Sequence, residues 1–520
     1  VSSYDVVVVG AGHNGLVSAA YLARAGLKVL VLERRAGVGG AAVNAAVFDG
    51  HTARIPPYAS VVSLLPQQIL EDLDVGVQLA PRPMASYTPV TRNGKSKALI
   101  VERPEGRATR NSFIDLTDGG REYDVWCSFY GEVASLARVV WPTMLRPLPT
   151  EREIAEALDP ATFRELTTTP LGAILERRFA DDTVRGLVAS DALRGTFTSM
   201  NDGGLRQNRT FLYSMMGTGA ADQLVPVGGM GALSDGIAGA AMRSGADIRL
   251  NAGVRSIRVE DDLAEVIWDE AGASYSIKTR FVLANVAPWV LHILMGEPDD
   301  VEMKPEGSQV QVNFLLDRLP RLKSGIDPAI AFAGTLHVGH DYSVIERAYA
   351  DASVGRVPAV IPGSFVCPTL TDRSILGGAS NQHVLSFFGL HTPASLFNGN
   401  SPLTKGTVVA RAIAGLDAQL AEPLESCLAK DASGRPCIDA KIPQDLEFEL
   451  AMPGGHIFHG DLDWPWASNR ARLDTPAQAW GVQTDHAPVL LCGAGARRGG
   501  AVSGIGGHNA AQAVLASLVG

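Results

Sequence analysis

The chain has no run of eighteen uninterrupted apolar residues, so no transmembrane segment is expected, while contact with a membrane surface is left open. Its five cysteines, Cys127, Cys367, Cys427, Cys437 and Cys492, contain no Cys-x-x-Cys pair. That excludes redox chemistry through two thiols one turn apart. The odd count and wide spacing suit a reducing compartment, and a cytoplasmic location is expected. Zinc-ligand spacings are missing, so no metal is expected. No basic stripe is present and the net charge is −10, which argues against nucleic acid as a partner. Gly-x-Ser-x-Gly, P-loop and EF-hand patterns are also missing, leaving hydrolase, NTPase and calcium readings without support. The first strand begins almost at Val1, so no signal peptide is expected ahead of it. Because the chain does not start with Met, removal of a presequence is compatible with it. Nothing bears on the oligomeric state.

What is present is concentrated in the first forty residues. Tyr4-Asp5-Val6-Val7-Val8-Val9 runs into Gly10-Ala11-Gly12-His13-Asn14-Gly15, then an alanine-rich helix, then Leu27 to Leu32 ending on Glu33. Strand, glycine turn, helix, strand and terminal acid together form the arrangement that binds the ADP half of a dinucleotide. Gly10 permits the tight turn, Gly12 lets the backbone approach the pyrophosphate, and Gly15 lets helix and strand pack. The helix N-terminus offers N–H groups and partial positive charge to the phosphates. Glu33 is placed to accept hydrogen bonds from the ribose hydroxyls. His13 and Asn14 lie inside the phosphate turn, where His13 is expected to shape the loop.

Arg34 and Arg35 follow, then Gly37-Val38-Gly39-Gly40-Ala41. A second glycine turn so close to the ribose-binding acid brings more N–H groups toward the same pyrophosphate, and Arg35 can reach it with a charge-assisted contact. At the other end, Ala487 to Cys492 reads as a buried strand. Gly493 to Gly507 is a glycine-rich run that continues into an alanine-rich helix ending at Gly520. With no strand and acid after that helix, a complete second fingerprint is not expected. The run, with Gly493, Ala494, Val502, Ser503 and Gly504, suits a different task. Its N–H groups can face a flavin ring near N1 and C2=O, where a helix N-terminus stabilises developing negative charge by roughly 0.3–1 kcal/mol.

Between these ends, a helix is predicted from about Ala232 to Ser244, a short strand at Ile248 and Leu250, and a turn at Asn251-Ala252-Gly253. Strands follow at Val254–Val259, Ala264–Trp268 and Ser274–Lys278. Phe281-Val282-Leu283-Ala284 is a continuous apolar strand of the kind found in a buried parallel sheet. Asn285 ends it at the edge where ligands bind in such sheets, and Val254 opens a strand on the same side. A chain of 520 residues is too long for one simple core. The expected fold class is α/β: a Rossmann-like FAD-binding domain over residues 1–65, 226–300 and 480–520, interleaved with an α+β substrate domain over 66–225 and 301–479. In the latter, Leu171, Ile174, Leu175 and Phe179 have helical spacing, continued by Val184 and Leu187.

The opening fingerprint with its second glycine turn resembles the FAD-binding segment of amine oxidases and phytoene desaturases. Gly228-Gly229-Met230-Gly231-Ala232-Leu233, Pro453-Gly454-Gly455-His456-Ile457-Phe458-His459-Gly460 and the Gly493–Gly507 run extend the likeness nearly along the whole chain. The chain is similar to one branch of the phytoene desaturase-like flavoproteins, that of pyridine nucleotide-disulphide oxidoreductase domain-containing protein 2. The resemblance implies bound FAD and a redox reaction on a C–C or C–N bond. Many relatives have Arg after the double glycine where this chain has Ala41, removing one expected cation. Tyr58 and Ser60 stand where related proteins bring the chain past the ring. For proton chemistry His456 and His459 are the candidates, since histidine titrates near neutral pH, and Tyr58 joins them. Metal binding by the two histidines is disfavoured because Pro453-Gly454-Gly455 breaks the helix that would align them.

The function expected is therefore an FAD-dependent oxidoreductase that takes hydride from a fairly apolar small molecule, with O2, a quinone or another acceptor re-oxidising the flavin. The alternatives are a flavin amine oxidase, a flavin-dependent isomerase and an FAD-binding interaction protein without turnover.

Overall fold

Four consecutive valines, Val6–Val9, are all buried, and their β-branched side chains favour an extended backbone in the centre of a sheet. The computed structural model describes residues 4–217, 223–297, 303–378 and 381–519. It places this strand in the middle of a five-stranded sheet. The order is Val489–Leu491, Phe281–Ala284, Val6–Val9, Val29–Leu32 and Asp247–Arg249, with every pairing parallel. Val6 is opposite Phe281 on one side and Val29 on the other.

The period of two sorts these strands onto two faces. Val6, Val8, Val29 and Val31 share one core with the helices His13–Arg24, Gly229–Arg243 and Ile505–Val519. Val7, Val9, Leu30 and Leu32 pack against a three-stranded antiparallel meander, Ala252–Glu260, Leu263–Glu270 and Ala273–Thr279. Helix contact on the first face is close: a Cβ on Gly507 would lie 2.0 Å from the Asn14 carbonyl oxygen.

A second body stands over this sheet. Its seven strands run in the order Ile438–Lys441, Val310–Leu316, His383–Gly389, Gly363–Val366, Thr335–Val338, Met84–Arg92 and Lys95–Glu102. A helical body between Arg107 and Met215 packs alongside, around Phe113, Phe129, Phe179 and Phe211. The chain passes between the two bodies at a short antiparallel ribbon, Leu79–Ala80 with Val225–Pro226. This is an α/β fold with a Rossmann-like domain interleaved with an α+β body.

Several local expectations need correction. The helix read through Leu171 to Leu187 is two helices, Leu171–Arg178 and Asp182–Ala192. Asp181 is extended, and its carboxylate accepts from Thr183 N and Val184 N, starting a new helix. Of the turn at Asn251-Ala252-Gly253, only Asn251 is left-handed, and the strand already begins at Ala252. The strand expected at Ile248 and Leu250 spans Asp247–Arg249. The helix near 232 starts earlier, at Gly229. The helix Gln67–Asp72 follows directly on the first expected segment, 1–65. Its Ile69 and Leu70, with Leu73 and Val75, sit in the same core as Val6. Gly520, read as the end of the last helix, and Val1 lie outside the described residues, as do 298–300 of the expected middle segment.

Candidate functional site

The turn after the first strand is held by its own backbone. Gly10, at φ 96°, donates to the Leu32 carbonyl at 2.8 Å. Ala11 N donates to Glu33 Oε2 at 2.8 Å, and Gly39 N donates to the Ala11 carbonyl at 2.8 Å. The second glycine turn is thus laid directly on the first, and a Cβ on Gly40 would come within 3.3 Å of the Gly12 Cα. Asn285 Nδ2 donates to the Gly10 carbonyl at 3.1 Å and closes the third side. The helix His13–Arg24 starts from Gly12 with no side-chain cap and no acid in its first turn. Its leading N–H groups are left to a ligand, and their partial charge favours an anion. Gly15 serves packing, since a Cβ there would lie 2.2 Å from the Gly10 carbonyl oxygen.

From this turn a cavity of about 510 Å³ runs into the space between the two bodies. Of the residues singled out in the sequence, Gly10, Gly12, His13, Asn14, Glu33, Arg34, Arg35, Gly39, Gly40, Ala41, Tyr58, Ser60, Val254, Asn285, His459, Ala494 and Val502 line it. Gly15, His456, Gly493, Ser503 and Gly504 do not. Ser503 is fully buried and accepts from Ile505 N, and Gly504 packs against Val17 and Ile69. Gly493 lies against Asn285. Glu33 is occupied on both oxygens, by Ala11 N and by Arg35 N at 2.9 Å, and each oxygen keeps a second lone pair for a hydroxyl donor. The Arg35 guanidinium donates to the Gly40 carbonyl at 3.2 Å, and Arg34 reaches outward to the Glu449 carbonyl at 2.9 Å.

The two histidines at three-residue spacing part company. His456, 2% exposed, accepts from Phe458 N on Nδ1 and turns Nε2 toward Asp461, 3.7 Å away. His459 faces the cavity in a left-handed conformation, φ 65°, with Nδ1 buried and unpartnered among the described residues. Burial, reinforced by His456 and His13, lowers its pKa to about 4. His13 is also lowered to about 4, by burial, and its Nε2 has no partner among the described residues. Tyr58 donates its phenol hydrogen to Glu449 Oε2 at 2.5 Å. Burial and that carboxylate push its pKa far above the ordinary value, so the phenol is a donor and not a base.

Burial also holds His340 near pKa 4 and His391 near 3. The unfolded chain binds protons at these four positions near pH 6.5, whereas the folded chain does not. Stability is therefore expected to fall as pH drops from about 6.5 toward 4, by roughly 1.4 kcal/mol per pH unit for each group. Urea titrations at a series of pH values check this, and a flat profile through that window would contradict the burial.

Sequence reading missed the residues that close the far end of the cavity: Asp191, Arg194, Gln223, Gln309, Gln311, Thr335 and Ser364. They come from the end of the helix Asp182–Ala192, the segment at Gln223 and three separate strands, and form no motif. One signal existed. Asp191 extends the buried stripe of Val184, Leu187 and Val188, and an acid on an apolar helical face needs a partner.

Residues 8–65 match the family model of an NAD(P)-binding Rossmann-like domain. An uncharacterized protein of Mycobacterium tuberculosis (strain ATCC 25618 / H37Rv) is 44% identical over 99% of this chain and 97% of its own length. Pyridine nucleotide-disulfide oxidoreductase domain-containing protein 2 of Rattus norvegicus is 28% identical over 99% of this chain and 94% of its own. The crystal structure of cyclohexylamine oxidase from Brevibacterium oxydans IH-35A superposes with a TM-score of 0.57 at 14% identity, covering 100% of both chains. At that identity the likeness is one of fold. The chain belongs to one family with the mycobacterial protein, and pyridine nucleotide-disulfide oxidoreductase domain-containing protein 2 is its homologue.

Proposed function

We propose that this protein is an FAD-dependent oxidoreductase that removes hydride from a C–C or C–N bond of a fairly apolar small molecule. One observation carries the reading: a single cavity joins an uncapped helix N-terminus, cradled by two glycine turns, to a chamber under the second body. Gly10, Gly12, Gly39 and Gly40 would hold the diphosphate, Glu33 the ribose, and Val254 and Asn285 the adjoining edge. Tyr58, Ser60, Ala494, Ala501 and Val502 would flank the ring. FAD, when bound, supplies a two-electron acceptor for the hydride. The protein's part is position and exclusion of water. Leu64, Phe388, Ile457 and Phe458 line the chamber, and a dry wall strengthens every electrostatic contact inside it.

We assign the cofactor to a domain of residues 1–65, 226–300 and 480–520, extended to about residue 80 by the packing of Ile69 and Leu70. The substrate domain takes the rest, from about residue 81 to 225 and 301–479. Among the described residues no helix is long and apolar enough to cross a membrane. All five cysteines are free thiols, which supports a reducing, cytoplasmic setting.

Anaerobic addition of substrate is expected to bleach the flavin absorbance, and a panel of alkenes, carboxylic acids and amines tests it. An unchanged spectrum across the whole panel counts against the reaction. Re-oxidation by O2 or a quinone then identifies the acceptor. His459 faces the chamber, and in this reading it takes a proton as hydride leaves, acting as a weak base because burial lowers its pKa to about 4. His459→Ala should retain FAD and lose roughly 10²–10⁴-fold in turnover. Wild-type turnover in that variant would return His459 to a packing role. His456 sits one layer back, so His456→Ala should cost less.

A further inference from the structure

The end of the cavity supplied by the helical body and the seven-stranded sheet carries more positive charge than an apolar substrate requires. Arg194 lines it and is ion-paired with Asp191, Nη2 to Oδ1 at 2.9 Å. Behind this wall lies Arg82, 3% exposed. Its Nη2 donates to Gln223 Oε1 at 2.7 Å and Thr335 Oγ1 at 3.1 Å, and its Nε donates to the Gln223 carbonyl at 3.2 Å. Its Nη1 is buried with no hydrogen-bond partner, and no carboxylate is ion-paired with it, among the described residues. A buried cation without a counter-ion is costly unless hydrogen bonds or a ligand offset its lost hydration, and Arg82 leaves one donor nitrogen for which neighbouring groups offer nothing among the described residues. Burial, with Arg103 and Arg194, lowers the Arg82 pKa to about 9, so it remains charged at neutral pH.

The neighbours are arranged as donors. Gln223 Oε1 is taken by Arg82 and by the Thr335 hydroxyl at 3.3 Å, which leaves the Gln223 amide N–H groups for the cavity it lines. Ser364 lines the same end and shares a hydrogen bond of 3.1 Å with His337 Nδ1. His337 packs its ring 4.2 Å from that of His340, and burial keeps both neutral. Asp191 is the one acid lining this end among the described residues, and Arg194 balances it. Among the described residues the cations at this end outnumber its one acid, which favours an anionic ligand.

We propose that Arg194, Gln223 and Ser364 bind the carboxylate of the substrate, with Arg82 as a positioning residue that orients Gln223 and supplies the balancing charge. The compound oxidised is then an amphiphilic carboxylic acid whose hydrocarbon part lies along Leu64, Phe388 and Phe458. This rests on the oxidoreductase reading of the same cavity.

The test titrates the FAD-loaded protein with octanoate, octanamide and octylamine, read by the flavin difference spectrum and by calorimetry. Octanoate is expected to bind more tightly than octanamide. Arg194→Gln should weaken octanoate by roughly tenfold to a hundredfold and leave octanamide unchanged. Arg82→Met should do the same, and if it fails to fold, Arg194→Gln decides alone. Equal affinities for octanoate and octanamide, or octanoate unaffected in Arg194→Gln, would overturn the proposal. So would octylamine binding more tightly than octanoate and being lost in Asp191→Asn, which would mark a cation site. A colourless protein would defeat the flavin reading instead, and calorimetry with octanoate would still decide this one.

Discussion

Gly12→Val is expected to yield a folded protein that purifies without flavin. A Cβ at this position would lie 2.8 Å from Asn285 Nδ2, the amide that holds the Gly10 carbonyl at 3.1 Å. A branched side chain there also stands over the first N–H groups of the helix His13–Arg24, where the diphosphate would rest. Losing two charge-assisted hydrogen bonds removes about 3–6 kcal/mol, which weakens binding by roughly 10²–10⁴-fold. The measurement is flavin absorbance per polypeptide, with circular dichroism to confirm the fold. Gly37→Ala is the control, because a Cβ at Gly37 meets nothing within 4 Å. A yellow, FAD-loaded Gly12→Val protein would show that the cofactor sits elsewhere.

Arg498→Met should produce the largest loss of stability. Arg498 is 1% exposed, and its guanidinium donates to the carbonyls of Thr143 and Arg146, both at 2.6 Å, and of Trp480 at 3.2 Å. It thereby ties the C-terminal glycine run to the end of the long helix Arg121–Val140 and to the helix Pro476–Trp480. Methionine fills a similar volume but removes three hydrogen bonds made by a buried guanidinium. The expected cost is about 3–5 kcal/mol in urea unfolding. Arg498→Lys should fall between, since an ammonium lacks the planar fork that spans several carbonyls. An unchanged midpoint in Arg498→Met would mean that water replaces the guanidinium without loss.

The Rossmann-like half was legible because its requirements are local. Val6–Val9, Gly10, Gly12 and Glu33 fall within one stretch, and each residue type is dictated by a turn, a close approach or a terminal acid. Phe281–Ala284 was legible for a similar reason, as a short apolar run ending on Asn285 at the sheet edge. The second body was not. Its sheet draws Met84–Arg92, Val310–Leu316 and Ile438–Lys441 from distant stretches with no shared motif. Spacing also could not separate His456 from His459. The two differ because the left-handed backbone at His459 turns one ring into the cavity, while His456 is packed beside Phe458 and Asp461. Asp181 shows the opposite failure. Apolar spacing runs through it, yet the first helix ends at an extended Phe179 and the Asp181 carboxylate caps the start of the next.

The order of strands in the parallel sheet has a consequence for biosynthesis. Phe281–Ala284 is flanked by Val6–Val9 and by Val489–Leu491, so during translation one of its edges stays open until the strand Val489–Leu491 has been made. Until then the strand presents an unpaired apolar edge of the kind that associates with other chains.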